Sequence, residues 1–188
     1  MMRFIGKLDF APQDPLNPEE WELEEDFGFL RDDGLLIIAI SGGHSDGATI
    51  PWFLQLFLGH PFKGLNGFWA VIHDSGYRRY AIVIDTRLTI TYPEDLFATW
   101  RELPERLFVK SATLNRKWWD GTMRMCMATM NEPRWKQRAV YRGVRLSGWV
   151  SWRKNHRKRE VETPRTVENR LVQGLLEDVT DEVFHDDW

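Results

Sequence analysis

One cysteine, Cys126, stands in 188 residues. A single thiol cannot close an intramolecular disulfide, which excludes a disulfide-stapled secreted domain, and it excludes a zinc site built from four cysteines. Long apolar runs are also lacking. The longest, Leu35 to Ile40, has the length of a strand and falls well short of the roughly 18 apolar residues needed to span a bilayer. No transmembrane segment is therefore expected. The N-terminal Met1-Met2-Arg3-Phe4-Ile5-Gly6-Lys7 has no long apolar core and no cleavage pattern, so a signal peptide is not expected either. An excess of either charge is missing too. A net charge of −3 argues against a strongly basic nucleic-acid binder, and nucleic acid is not expected as the main partner. The chain has no H-E-x-x-H, no G-x-S-x-G and no phosphate-binding glycine loop with lysine, and His44, His60, His156 and His185 have no metal-ligand spacing to one another.

What is present is apolar and aromatic. Hydrophobic residues make up 43% of the chain, enough for it to fold by itself. Ten Trp and eleven Phe supply large buried areas, first as core and second as a docking surface. Cys126 lies in Met123-Arg124-Met125-Cys126-Met127, a run that reads as helix interior and makes it an inert buried thiol rather than a nucleophile.

Residues 1–50 read as β. Phe4 to Phe10 alternates weakly, and Pro12, Pro15 and Pro18 interrupt the chain after it. Trp21-Glu22-Leu23-Glu24 alternates apolar and acidic, and Phe27 to Leu30 is expected to continue that strand across Gly28. Asp32-Asp33-Gly34 is a hairpin signal ahead of the buried strand Leu35 to Ile40. After the polar turn Ser41 to Gly47, a helix is expected over Trp52 to Leu58, with Pro51 at its first turn. Helices follow over Leu65 to Tyr80, from Pro93 to near Pro104, over Leu114 to Met130 and over Trp135 to Trp152. Leu88-Thr89-Ile90-Thr91-Tyr92 reads as a strand between them. The expected fold class is α+β: N-terminal antiparallel strands packed against a mainly helical C-terminal part. One domain is expected over 1–152, β-rich over 1–50 and helical over 52–152. A charged tail, 153–188, follows, basic at 153–159 and acidic at 177–187. The basic block is too short and isolated to make nucleic acid the leading partner.

Four places could carry chemistry. In His73-Asp74-x-x-Tyr77, residues three and four apart share a helix face, and the run Phe68 to Ile72 that precedes them is apolar. Ionisable groups there are costly unless paired or useful. The imidazole can serve as a general base, and its neighbouring carboxylate can bind a cation or raise the imidazole pKa. A polar cluster bracing the helix is the alternative. Asp46 and Gly47, in Ser45-Asp46-Gly47-Ala48-Thr49-Ile50-Pro51, follow a glycine turn at a helix start, where they can hold a ligand or cap the helix. Asp120 sits amid Trp118, Trp119, Met123 and Met127 and needs a partner, for which His73 is suited. Tyr141 and Arg145 share a face, and Arg145 can pair with Asp46, Asp74 or Asp120.

Taken in order, Ser45 to Pro51, His73-Asp74-Ser75-Gly76-Tyr77-Arg78, Trp119-Asp120 and Tyr141 to Gly148 resemble a family found in phages and prophages, domain-of-unknown-function family 1353. Its pattern is roughly T-D-G-A-S-I-P, H-D-x-x-Y-R, A-D, Y-x-x-V-R-x-x-G. The resemblance covers about residues 35–152. Ser45, Thr49 and Trp119 depart from it, Trp119 replacing a small residue, and 81–112 is longer than the family norm. The resemblance implies a phage or prophage origin, a virion or host-cytoplasm location, and convergence of Asp46, His73, Asp74 and Asp120. The His-Asp-x-x-Tyr helix followed by a later Asp is also similar to the active site of secreted and parvoviral phospholipases A2. That likeness implies His73 as the base, Asp74 as a calcium ligand and Asp120 as the residue orienting His73, with Asp46 as a substitute calcium ligand.

Two functions are expected from this. The leading one is a virion-associated or assembly protein that docks other virion proteins or its own copies. The alternative is a metal-assisted hydrolase, acting on a phospholipid or a cell-envelope ester or amide, with His73 and Asp120 catalytic, Asp74 and Asp46 on calcium, and Gly47, Tyr77 and Arg145 in the binding site.

Overall fold

The computed structural model describes residues 1–12, 21–45, 66–109, 114–149 and 152–153. In chain order the strands are β1 (Arg3–Ile5), β2 (Phe10–Pro12), β3 (Trp21–Leu23), β4 (Phe27–Leu30), β5 (Leu35–Ala39), β6 (His44–Ser45) and β7 (Ala81–Asp85). The helices are α1 (Asn66–Arg78), α2 (Pro93–Ala98), α3 (Arg116–Thr129) and α4 (Arg134–Ser147). The architecture is α+β, as expected.

Strands β1, β4, β5 and β7 form one antiparallel sheet in that order, and β2, β3 and β6 form a second. The Asp32-Asp33-Gly34 signal does turn β4 into β5. Gly34 takes φ +79, a left-handed conformation that costs glycine nothing, and Arg31 N–H donates to Leu35 O at 2.9 Å. The central sheet is covered on both faces. Phe27, Phe29, Ile37, Ala39 and Val83 pack with Trp69, Ile72 and Met123 of the helices. Leu30, Leu36, Ile38, Ile82 and Ile84 pack with Leu96, Trp100 and Phe108. Double coverage explains why Leu35 to Ile40 is apolar at every position instead of alternating. Each Val, Leu, Ile, Phe and Met side chain among these contributes about 1.5–3 kcal/mol by burial.

Three expectations are corrected. The strand expected at Leu88 to Tyr92 lies earlier, at Ala81–Asp85, directly after the helix expected to end at Tyr80. The five residues of β5 pair with Ala81 to Asp85 from Ala39↔Ala81 to Leu35↔Asp85. Past Leu35 the partner turns away at Gly34, so Leu88 to Tyr92 does not prolong the pairing with β5. Local bonds take over: Asp85 caps Arg87 N, and Thr91 N–H donates to Thr89 Oγ1 at 3.1 Å. Ile90 is left fully exposed. Second, Phe27 to Leu30 does not continue β3. The two strands belong to different sheets, and the chain bends between them where Asp26 accepts from Ser41 N, Trp100 Nε1 and Arg101. Third, the helix expected to run unbroken to Trp152 is interrupted: α4 ends at Ser147 with Gly148 as its cap, and helical residues resume at Trp149 and Trp152, whose N–H donates to Gly148 O at 3.0 Å.

Helices α1, α3 and α4 stack in sequence, α1 on α3 and α3 on α4, and α1 also lies against β6 and the central sheet. Both α1 and α3 end on a residue in the left-handed region, Arg79 at φ 66 and Asn131 at φ 57. The next amide reaches back five residues in each case: Tyr80 N–H to Ser75 O at 2.7 Å, and Glu132 N–H to Met127 O at 3.0 Å. These bonds satisfy carbonyls that a helix end would otherwise orphan. The α1–α3 crossing is fitted at Gly76. A Cβ there would stand 2.2 Å from the Trp119 ring, so only glycine lets the indole lie on the helix backbone.

Alanine is the better helix former by about 1 kcal/mol. Gly76→Ala is nonetheless expected to lower the unfolding free energy by about 1–3 kcal/mol through overpacking. Adding Trp119→Leu is expected to recover part of the loss, read as urea midpoints of the single and double variants. Equal stability of Gly76→Ala and wild type would show that the Trp119 contact does not constrain the crossing.

Candidate functional site

Helix α1 is enclosed by β6, the sheet and α3, so even its polar residues are buried. Trp69, Ala70, Val71 and Ile72 form the apolar part, and His73, Asp74, Ser75 and Tyr77 follow within the next turn and a half, each 6% exposed or less. Opposite them on α3 stands Asp120, with no exposure at all. Its helix starts at an Asn115 cap that accepts from Trp118 N, and its buried stripe of Trp119, Met123, Cys126 and Met127 turns Asp120 inward.

The contacts make one network. His73 Nε2 lies 3.2 Å from Asp120 Oδ1, and His73 Nδ1 lies 3.2 Å from Asp74 Oδ1. Tyr77 Oη donates to Asp120 Oδ1 at 2.5 Å, and Arg145 from α4 donates to Asp120 Oδ2 at 3.0 Å. The His73 and Tyr77 rings stack at 4.1 Å between centroids, and Trp152 meets Tyr77 edge-on at 5.3 Å. Arg116 on α3 donates to Arg145 O at 3.1 Å, holding the end of α4 that carries the guanidinium. Of the three carboxylates open to Arg145 in the sequence, it pairs with Asp120.

The electrostatics follow from these partners. Burial pulls the His73 pKa down, but hydrogen bonds to Asp120 and Asp74 and the charges of both outweigh it, so the net shift is upward from 6.5. Burial likewise pushes Asp120 up, and its bonds from His73, Tyr77 and Arg145 reverse this, leaving it below the ordinary carboxylate value. Burial, reinforced by the acceptor Asp120, holds the Tyr77 hydroxyl far above its usual range, so it remains a neutral donor. Both ring nitrogens face carboxylates, which favours the protonated ring, in which both N–H groups donate. Two cations, His73 and Arg145, then balance two carboxylates, Asp74 and Asp120.

Asp46 and Gly47 lie outside the described residues. Five of the seven site residues, His73, Asp74, Tyr77, Asp120 and Arg145, do come together. Among the described residues no group of three or more His, Cys, Asp or Glu is arranged to hold a metal ion. A surface groove of about 420 Å³ between α3 and α4, lined by Lys117, Gly121, Arg124, Gln137 and Tyr141, lies away from His73. Tyr141 was read together with Arg145 in the sequence, and it lines this groove. Two glycines belong to the site, and sequence reasoning gave them no role there. Gly76 admits Trp119, and at Gly148 a Cβ would stand 2.9 Å from Tyr77 Oη. The signal at Gly76 is a helix-interior Gly in a chain that carries an oversized Trp at 119.

His73 titrates above 6.5 in the folded chain. Its contribution to stability is therefore complete below the unfolded-state pKa and is lost as pH rises through the folded-state pKa. Urea unfolding from about pH 5 to pH 9 is expected to show this decline in wild type and not in His73→Gln. Asp120 runs the other way: its contribution is present above 3.8 and is lost as pH falls through its lowered folded value. Asp120→Asn leaves His73 and Arg145 without their shared anion and is expected to cost about 3–5 kcal/mol. A cost under about 1 kcal/mol, as for an exposed pair, would contradict the network.

A family model described as "Protein of unknown function (DUF1353)" matches residues 21–144. That span contains His73, Asp74, Tyr77 and Asp120 and stops one residue before Arg145. No curated protein and no solved structure matches the chain. With more than half of its length inside the family's boundaries, the chain belongs to the DUF1353 family, whose description assigns no activity.

Proposed function

We propose that the protein is a phage-encoded hydrolase of ester bonds, of the phospholipid or cell-envelope class, with His73 as general base and Asp120 as the residue that positions it. The observation that carries this reading is the contact of Asp120 Oδ1 with His73 Nε2 at 3.2 Å, made inside a carboxylate environment closed by Tyr77 and Arg145. A carboxylate on one ring nitrogen fixes the tautomer and orientation and supports positive charge on the ring once it takes a proton. Proton acceptance then falls to Nδ1. A water held at Nδ1 would lose its proton to the ring as its oxygen attacks the ester carbonyl, and the ring would return that proton to the leaving oxygen. Arg145 and Tyr77 keep Asp120 ionised throughout, so the proton stays on the imidazole.

Asp74 decides whether Nδ1 is available, because its Oδ1 occupies that nitrogen at 3.2 Å. Asp74 offers a hard oxygen donor group, and among the described residues no group of three or more His, Cys, Asp or Glu is arranged around a metal. Calcium also accepts backbone carbonyls and water, and Asp46 is the further ligand proposed here. Bound calcium would polarise the scissile carbonyl and stabilise the developing oxyanion.

A second reading is favoured by the same Nδ1–Asp74 contact and by the burial of the ring. A fully paired imidazolium is a lock, and the protein would then be a virion or assembly component. Turnover of a short-chain phospholipid and of an aryl ester, with calcium or with chelator, separates the two. The hydrolase reading expects calcium-stimulated turnover that falls at least about 100-fold in His73→Gln while the near-ultraviolet circular dichroism is retained. It also expects calcium to raise the melting temperature of wild type and not of Asp74→Asn. Wild type without turnover, and without a calcium shift, would leave the lock.

A further inference from the structure

Helix α4 carries Arg134, Lys136, Arg138, Arg142 and Arg145 and no acidic residue. Lys136 is paired with Glu132 and Arg145 with Asp120. Arg134, Arg138 and Arg142 have no ion pair among the described residues. At 100° per residue, these three share an arc of about 120° with Trp135, Leu146 and Trp149. That arc faces outward: Trp135 is 59%, Leu146 80% and Trp149 50% exposed. Gln137 and Val140, on the opposite side, are buried. A face that interleaves free guanidinium groups with large exposed apolar groups is complementary to an acidic amphipathic segment, which would cover the apolar area and neutralise the charge together.

The chain carries such a segment just beyond this helix. Residues 160–188, outside the described residues, hold nine acidic residues against Arg165 and Arg170. Within them Val172, Leu175, Leu176, Val179 and Val183 recur at helical spacing, with Glu177, Asp178, Asp181 and Glu182 between. The reach is sufficient. The stretch from Arg153 to Val172 can extend about 60 Å at roughly 3.3 Å per residue, whereas α4 is about 21 Å long. Tethering also holds the segment at an effective concentration on the order of millimolar, an advantage that no separate acidic partner has.

We propose that residues 172–187 of the same chain dock on the arc formed by Arg134, Trp135, Arg138, Arg142 and Leu146 of α4 and by Trp149 just beyond its end. This proposal is independent of the catalytic reading of His73.

The lone native thiol makes the test direct. Cys126 is fully buried, and burial pushes its thiol well above the ordinary value, so a second cysteine would be the reactive one. Leu146→Cys in the full chain is expected to react with a thiol reagent at least about tenfold more slowly with the native tail than with Glu177, Asp178, Asp181 and Glu182 all replaced by Lys. The protection is expected to disappear near 1 M salt, where screening acts within about 3 Å. Trp149→Cys repeats the measurement in case Leu146→Cys alters the face. Leu146→Cys combined with Val179→Cys is expected to close a disulfide within one chain. Equal labelling rates with native and reversed tails would overturn the proposal. So would a disulfide that forms only between chains, which would indicate a second copy, or protection that appears only with anionic vesicles, which would indicate a lipid surface.

Discussion

A carboxylate with no exposure to water must find its solvation inside the protein, and Asp120 finds it in three donors from two other helices. His73 and Tyr77 reach it from α1, and Arg145 reaches it from α4. An unpaired charge at that depth would cost several kcal/mol, so the mutual placement of α1, α3 and α4 is set by the need to bring all three donors to one residue. Other features follow from this. Trp119, next to Asp120, must lie on α1, and only Gly76 leaves room for it. The Tyr77 hydroxyl must approach the end of α4, and only Gly148 leaves room there. The same glycine helps end α4 at Ser147.

The sheet serves this arrangement by being rigid. Covered by the helices on one face and by the segment around Leu96, Trp100 and Phe108 on the other, it gives α1 a floor that cannot yield. A residue positioned by such a floor keeps its rotamer, which a catalytic base and a structural lock require equally. The two roles differ at a single atom, His73 Nδ1. Held by Asp74, the ring is favoured in its protonated form, which with Arg145, Asp74 and Asp120 makes a neutral quartet. Released from Asp74, it would be an oriented base. The chemical character of the site thus depends on a neighbour one residue away in the chain, on the part of the site that the Asp120 network does not itself fix.

The elements that the sequence revealed were those whose periodicity reports burial. Leu35 to Ile40 read as a buried strand because both faces are covered, and the stripes of α1 and α3 read as helices because one face meets the sheet or a neighbouring helix. The failure at Leu88 to Tyr92 has the same origin. Alternation there is as good as in any strand of the chain, but a strand exists only where a neighbour pairs with it, and β5 pairs with Ala81 to Asp85 instead. Propensity is local, whereas an edge is a property of the assembled sheet. The helical run to Trp152 is interrupted at Gly148 for a related reason, since that glycine answers to Tyr77, a residue far away along the chain.

By itself, the sequence determined the α+β class, the hairpin at Asp33-Gly34, the helices that carry the polar residues, and the identity of those residues. Each of these depends on neighbours within one or two turns of chain. Tertiary structure alone decided that Arg145 chooses Asp120 over Asp74, that both nitrogens of His73 are engaged, and that Tyr77 donates to the same carboxylate. Those outcomes depend on distances of about 3 Å between Asp120 and residues 25 to 47 positions away. No local rule fixes such distances; the requirement to solvate one buried charge does.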